Sequence, residues 1–186
     1  MRSNQYPRID GLTLAALALL VIMGISLLSD HAPQPAEAAG HERQAAVVQH
    51  DPDRVVAPYE DYILTQGPHG QSYGHLAIDL TAGKGAVIRS PIEGEVSALF
   101  VDNLGNTTLI IENEHYQVTL MHGIYNVQVG DHLALAQPVG YESNQGYTID
   151  AWGNLCAGRD CGYHTHLNIF DKRLSENENP LNLIQK

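Results

Sequence analysis

Two histidines stand two residues apart near the carboxyl-terminal end of the chain, as His164 and His166. The residues around them predict a β-strand from position 164 to position 170, rich in β-branched and aromatic side chains. In a strand, residues i and i+2 project from the same face, so both imidazole rings would lie side by side. Neutral imidazole is a common ligand of zinc, and this pair therefore has the spacing of a metal site.

A histidine and an aspartate four residues apart, His75 and Asp79, form a second candidate pair. In a straight strand their side chains would lie roughly 13 Å apart and could not share a metal ion. The glycine-rich segment GPHGQSYG, which ends at Gly74, favours a bend that would bring them together. A single histidine and aspartate at this spacing often occur by chance. Together with His166, however, the pair would make a set of three ligands that leaves a fourth position open for water.

His122 is a third candidate, because it closes the apolar strand YQVTLMH. A single histidine at such a position is more often a core or rim residue than a functional one. The chain has ten histidines, as many as its lysines and arginines together. We assign no role to the six others, which are His31, His41, His50, His69, His115 and His132.

The composition excludes several classes of protein. A chain of 186 residues suits one domain with appendages. Ten Lys and Arg against 21 Asp and Glu give a net charge of −11, which argues against binding to nucleic acid. Two cysteines are too few for a disulfide scaffold or a four-cysteine zinc module. In an exported chain, Cys156 and Cys161 favour a disulfide that staples a loop over a pair of metal ligands.

The amino-terminal third of the chain predicts export rather than a folded domain. Residues 11–29 contain an uncharged apolar run that follows Arg2 and Arg8, which indicates a transmembrane anchor or signal sequence with residues 1–10 in the cytoplasm. The segment Ala36-Glu37-Ala38 has the A-x-A pattern of a signal-peptidase site, whereas the length of the apolar run favours an anchor. Residues 30–57 have the composition of a flexible linker.

Residues 58–186 form the predicted exported domain. Short apolar runs alternate there with Gly, Pro, Asn and Asp, which is typical of an all-β domain. We predict a compact β-sandwich or hybrid barrel with a duplicated hybrid motif. The expected strands cover residues 86–89, 94–101, 107–112, 116–122 and 164–170. The short segment Asn113–His115 predicts a tight hairpin between the third and fourth of them.

Five segments in this order resemble the lysostaphin-like, or LytM-type, zinc metallopeptidases, which cut peptide cross-bridges of bacterial cell walls. They are GHLAIDL, SPIEGEV, VTLMHG, VQVGDHLALAQPVG and HTHLNIF, and the resemblance extends from about Gly67 to Leu183. It implies one Zn²⁺ per domain with His75, Asp79 and His166 as metal ligands. His122 and His164 match the two active-site histidines that do not bind the metal.

The resemblance implies an endopeptidase in which a zinc-activated water attacks an amide of peptidoglycan while His122 and His164 assist. It places the domain in the periplasm or cell envelope of a bacterium, held at the inner membrane by residues 11–29, or released if cleavage occurs near Ala38. Tyr163 stands where the family usually has proline. The identity of the peptide bond that is cut is therefore left open. The alternative is a catalytically silent LytM-type scaffold or an activator of other wall hydrolases. The sequence names no regulatory partner.

Overall fold

The computed structural model of the protein describes residues 50–184. The predicted cytoplasmic segment, the predicted anchor and residues 30–49 of the predicted linker lie outside this range. Within residues 50–184, no helix is long enough and apolar enough to span a membrane.

Most of the described chain forms an eight-stranded antiparallel sheet. Its strands are β1 (Ile63–His69), β2 (Ala77–Thr81), β4 (Gly94–Val101), β5 (Thr107–Glu112), β6 (Tyr116–Met121), β8 (His132–Leu133), β10 (Thr165–Asp171) and β11 (Glu176–Glu178). Seven of them follow the order β1-β2-β10-β6-β5-β4-β8 across the sheet, and β11 pairs with β10.

A smaller, three-stranded antiparallel sheet has the order β3-β9-β7. Its strands are β3 (Val87–Arg89), β7 (Ile124–Tyr125) and β9 (Pro138–Tyr141). The helical elements are short: a 3₁₀ turn at Gln71–Tyr73, and helix α1 (Pro180–Leu183), whose first turn is capped by the Asn179 side chain. These elements confirm the predicted all-β class, while the duplicated hybrid motif stays a prediction.

Alternating side chains separate the core from the opposite face of the large sheet. Leu167 and Ile169 of β10 are fully buried, as are residues 109 and 111 of β5 and residues 118 and 120 of β6. All of them belong to one hydrophobic core. Because side chains alternate along a strand, His166 of β10 projects from the other face. The sheet therefore presents the candidate residues on its face away from the core.

The predicted strands agree closely with the observed ones. Strands β4 and β5 have the predicted bounds, and the predicted hairpin at Asn113–His115 joins β5 to β6. Strand β6 ends at Met121, one residue earlier than predicted, because His122 adopts a left-handed backbone with φ of 70°. The predicted strands do not include β1, β2, β7, β8, β9 or β11. Strand β1, for example, has no apolar alternation and is mostly exposed.

The chain is packed into the core before the predicted domain start at position 58. Val55 is 1% exposed and Ala57 is 8% exposed, and both belong to the hydrophobic core. The backbone N–H of Val56 donates to the carbonyl of Pro91 at 2.9 Å. The last residues of the predicted linker thus contribute to the folded unit.

Candidate metal centre and active site

Asp79 and His166 occupy directly opposed positions on the neighbouring strands β2 and β10. Opposed residues of an antiparallel pair present their side chains on the same face, within a few ångströms of each other. The Nδ1 atom of His166 lies 3.0 Å from Oδ1 of Asp79. The structure thus brings together two of the three metal ligands expected from the sequence.

His69 is the third member of this group. It ends β1 and pairs with Ala77, two residues before Asp79 along β2, so its side chain lies on the same face as Asp79. Its Nε2 atom is 3.6 Å from Oδ1 of Asp79. His69, Asp79 and His166 each offer one ligand atom, and these three atoms lie within 4.8 Å of one another. The sequence patterns predict no role for His69.

His75 lies next to this group rather than within it. Gly70 and Gly74, with φ of 88° and 82°, flank the 3₁₀ turn and produce the bend predicted between β1 and β2. The His75 ring is centred 5.9 Å from the His166 ring. Partial burial, with His166 and His69 close by, lowers the pKa of His75 below its ordinary value. The bend therefore brings two histidines, one at each end, towards Asp79 and His166.

His122 and His164 form a contacting pair beside the metal-ligand group. Their ring centroids are 4.6 Å apart, and Nε2 of His164 lies 3.7 Å from Oδ2 of Asp79. The Nδ1 atoms contact backbone carbonyls, at 2.8 Å from Gln145 for His122 and at 2.9 Å from Gly162 for His164. A carbonyl oxygen only accepts hydrogen bonds, so each Nδ1 carries the proton in these contacts. A neutral ring then has its lone pair on Nε2.

The electrostatics of the site favour a cation. Burial by itself would raise the pKa of Asp79, but the hydrogen bond from His166 and the neighbouring imidazoles hold it below its ordinary value. Asp79 is thus ionised at neutral pH. Burial first, and His164 second, lower the pKa of His122 to about 4, so that ring is neutral at the same pH. An ionised carboxylate beside several imidazole rings is the kind of donor set that zinc prefers.

The two cysteines are joined in a disulfide between Cys156 and Cys161, as predicted, and neither is available as a metal ligand. They lie in the long segment between β9 and β10. On the same segment, Trp152 is 85% exposed and Tyr147 is 55% exposed, so these side chains do not cover the core.

Comparison with known proteins identifies the fold. No family model matches the chain, and no curated protein matches it by sequence. Among solved structures, Csd3 of Helicobacter pylori aligns with 72% of this chain and 35% of its own, at 16% identity and a TM-score of 0.54. A chain of the SpoIIQ-SpoIIIAH pore-forming complex aligns over 73% of this chain and 94% of its own, at 18% identity and a TM-score of 0.54.

A third solved structure is a zinc-containing peptidase from Vibrio cholerae, which aligns with 68% of this chain and 38% of its own, at 18% identity and a TM-score of 0.50. The chain spans about a third of the length of Csd3 in both of its crystal forms, 33% and 35%. At these identities the likeness is one of fold. The chain therefore shares its β-fold with a zinc-containing peptidase and with a component of a pore-forming complex.

Proposed function

We propose that the domain is a zinc-dependent endopeptidase that hydrolyses peptide cross-links of bacterial peptidoglycan. The observation that carries this proposal is the site itself: Asp79 and His166 meet a third histidine on one face of the sheet, with His122 and His164 beside them. The substrate class comes from the resemblance of the five sequence segments to cell-wall peptidases. The fold shared with a zinc-containing peptidase supports the reaction class.

Asp79 and His166 are the proposed ligands in every version of the site, and His69 and His75 are the candidates for the third position. The Nδ1 atom of His69 is 2.9 Å from the carbonyl of Gly67, which directs Nε2 towards Asp79. A ligating imidazole commonly has its second nitrogen held in this way. His75 has the spacing from Asp79 that the family motif requires. Geometry thus favours His69, and the motif favours His75.

Zinc contents of single variants distinguish these two histidines. We expect His166→Ala and Asp79→Ala to abolish stoichiometric zinc binding by the purified protein. Of His69→Ala and His75→Ala, the variant of the third ligand will lose stoichiometric zinc, and the other will retain it, bound at most about 10- to 100-fold more weakly, as for an outer-shell neighbour. Full zinc content in His166→Ala would contradict the proposed site.

The chain's own histidines would carry out the proton transfers of the reaction. Bound zinc would supply a Lewis acid that polarises the scissile carbonyl and lowers the pKa of water. His122 and His164 each present Nε2 as an acceptor, since Nδ1 donates to a carbonyl. A neutral imidazole so held can take a proton from the attacking water and return it to the leaving amine. His122, with its pKa of about 4, is neutral at the pH of the cell envelope.

Digestion of purified sacculi tests the function. We expect the zinc-loaded protein to release soluble muropeptides, and a chelator to stop the release. The alternative function is a catalytically silent scaffold or an activator. The observation that supports this alternative is the fold shared with a component of a pore-forming complex. Intact sacculi of several cross-link chemistries, incubated with zinc-replete protein, would support that alternative.

We also propose that the domain works outside the cytoplasm, attached to the inner membrane through residues 11–29. The apolar run with its preceding arginines supports an anchor. The disulfide between Cys156 and Cys161 is consistent with an oxidising compartment. Fractionation of cells expressing the full chain tests this proposal, which requires the protein in the membrane pellet and accessible to protease added outside the inner membrane.

A further inference from the structure

One segment accepts hydrogen bonds from both rings of the His122–His164 pair. We call residues 142–162, between β9 and His164, the disulfide loop. Near its start, the carbonyl of Gln145 accepts from Nδ1 of His122 at 2.8 Å. At its end, the carbonyl of Gly162 accepts from Nδ1 of His164 at 2.9 Å. The orientation of both rings therefore depends on where the two ends of this loop lie.

Asn144 joins the two ends of the disulfide loop. Its Nδ2 atom lies 2.9 Å from the carbonyl oxygen of Cys161 and 3.0 Å from that of Arg159, with the carbonyl of Cys156 at 3.5 Å. The disulfide closes the same short segment. Asn144 also directly precedes Gln145, whose carbonyl holds His122. The Asn144 side chain thus connects the backbone that accepts from His122 to the backbone next to Gly162, which accepts from His164.

The loop is fixed to the sheet at its base as well. The buried carboxylate of Glu142 accepts from the Thr81 hydroxyl at 2.5 Å and from the Ala82 backbone N–H at 2.8 Å. Thr81 lies on β2, two residues after Asp79, so the loop is attached to the strand that carries Asp79. The Asn106 side chain accepts from the backbone N–H of Tyr147 at 2.7 Å.

We propose that Asn144 and the Cys156–Cys161 disulfide form a positioning unit that keeps His122 and His164 in the Nδ1-protonated form, with Nε2 directed at the substrate. The proposal rests on the proposed peptidase function. Neither Asn144 nor the disulfide contacts the reacting atoms. They act through the carbonyls of Gln145 and Gly162, and a shift of about 1 Å in a catalytic group can cost about 100-fold in rate.

Two variants of Asn144 separate hydrogen bonding from simple packing. Asn144→Asp keeps the shape but sets a carboxylate oxygen against carbonyl oxygens that can only accept, so it should repel the segment. Asn144→Ala only removes the donors. If hydrogen bonding matters, Asp is the more damaging replacement, although it is the closer match in size. Asn154→Ala is the matched control, since the Asn154 side chain lies on the same loop and, within residues 50–184, donates hydrogen bonds to the Asp150 carboxylate alone, at 3.3 Å.

The kinetic test measures kcat, KM and zinc content for the zinc-loaded full chain. We expect Asn144→Ala to lower kcat about tenfold and Asn144→Asp to lower it about 100-fold, with KM and zinc content unchanged. Asn154→Ala should match the parent chain. Cutting the disulfide of the folded protein with a phosphine reductant should lower kcat while zinc stays bound. Wild-type kcat in Asn144→Asp, or a loss of zinc parallel to the loss of kcat, would overturn the proposal.

A second readout does not depend on catalysis. Nitrogen chemical shifts of the imidazole rings in the metal-free protein report which nitrogen carries the proton. We expect His122 and His164 to be protonated at Nδ1 in the parent chain and in Asn154→Ala, and to show mixed tautomers in Asn144→Asp. Pure Nδ1-protonated rings in Asn144→Asp would overturn the positioning role. An inactive parent chain with these tautomer shifts intact would instead remove only the peptidase function.

Discussion

At the scale of the residue, the site depends on which nitrogen of each imidazole is held by the backbone. Both His69 and His164 donate from Nδ1 to the carbonyl of the residue two positions earlier, Gly67 and Gly162. The Nδ1 atom of His166 instead faces Asp79. A glycine two residues before a histidine does not by itself identify His69 in the sequence, because Gly130 stands in the same relation to the exposed His132.

At this scale, the side chains that β2 and β10 bring together could be predicted from the sequence. His164 and His166 lie close to Asp79 because the two-residue spacing fixes their face, and that spacing is readable. The contribution of His69 was not readable, because it requires the pairing of β1 with β2 across a bend of seven residues. No periodic pattern in β1 indicates this pairing, since most of its residues are exposed.

The buried His122 should make the metal-free protein sensitive to acid. Its pKa is about 4 in the folded protein and about 6.5 in the unfolded chain, so between these values only the unfolded chain takes up the proton. Stability is thus fully present above pH 6.5 and falls as the pH drops towards 4, by about 3 kcal/mol in all. We expect His122→Gln to reduce this loss, as measured by urea unfolding at a series of pH values.

The matched control for this experiment is His132→Gln. His132 is 83% exposed at its side chain, so its replacement should change the free energy of unfolding at pH 7 by less than about 0.5 kcal/mol. The free energy of unfolding of His122→Gln and that of the parent chain should diverge between pH 7 and pH 4. The same pH dependence in both proteins would contradict a buried, neutral His122.

At the scale of the element, close backbone approach decides where glycine is required. Gly140 lies within β9, which pairs with β7, and a Cβ atom there would lie 2.3 Å from the carbonyl oxygen of Ile124. Strand β9 would have to move away from β7 to admit any side chain. Neither β7 nor β9 is among the strands predicted from the sequence, and their contact could not be predicted either, because it depends on which strands are neighbours.

Gly140→Ala should therefore destabilise the domain by about 2 kcal/mol, the usual cost of forcing an extra methyl group into a packed site. Gly67→Ala is the control on β1, since nothing lies within 4 Å of the added Cβ atom. We expect that variant to stay within about 0.5 kcal/mol of the parent chain in urea unfolding. Equal stability of the two variants would contradict the close pairing of β7 with β9.

At the scale of the whole molecule, one hydrophobic core ties both sheets to the residues that precede them. The core unites side chains of the large sheet with Ile88 of β3 and Val139 of β9, and it also includes Val55. Composition predicted a flexible linker as far as position 57, because residues 30–57 are rich in Ala, Pro, Gln and acidic residues and show no apolar periodicity. Two apolar residues were enough to place the end of that stretch in the core.

Val55 should accordingly contribute to stability although it lies in the predicted linker. We expect Val55→Ala to lower the free energy of unfolding by about 1–3 kcal/mol, because it empties space in a packed core. Val129→Ala, at a position that is 61% exposed, should change stability by less than about 0.5 kcal/mol. A Val55→Ala protein as stable as the parent chain would show that the folded unit starts later.

The most direct test of the proposed peptidase is mass spectrometry of sacculi digested in water enriched in oxygen-18. Hydrolysis of a peptide bond transfers one solvent oxygen to the new carboxyl group. The site predicts soluble fragments that carry this label, with a new amine and a new carboxyl group at a cross-link, and no such fragments from His166→Ala. Unlabelled sacculi with zinc-replete wild-type protein, or the same labelled fragments from His166→Ala, would contradict the account.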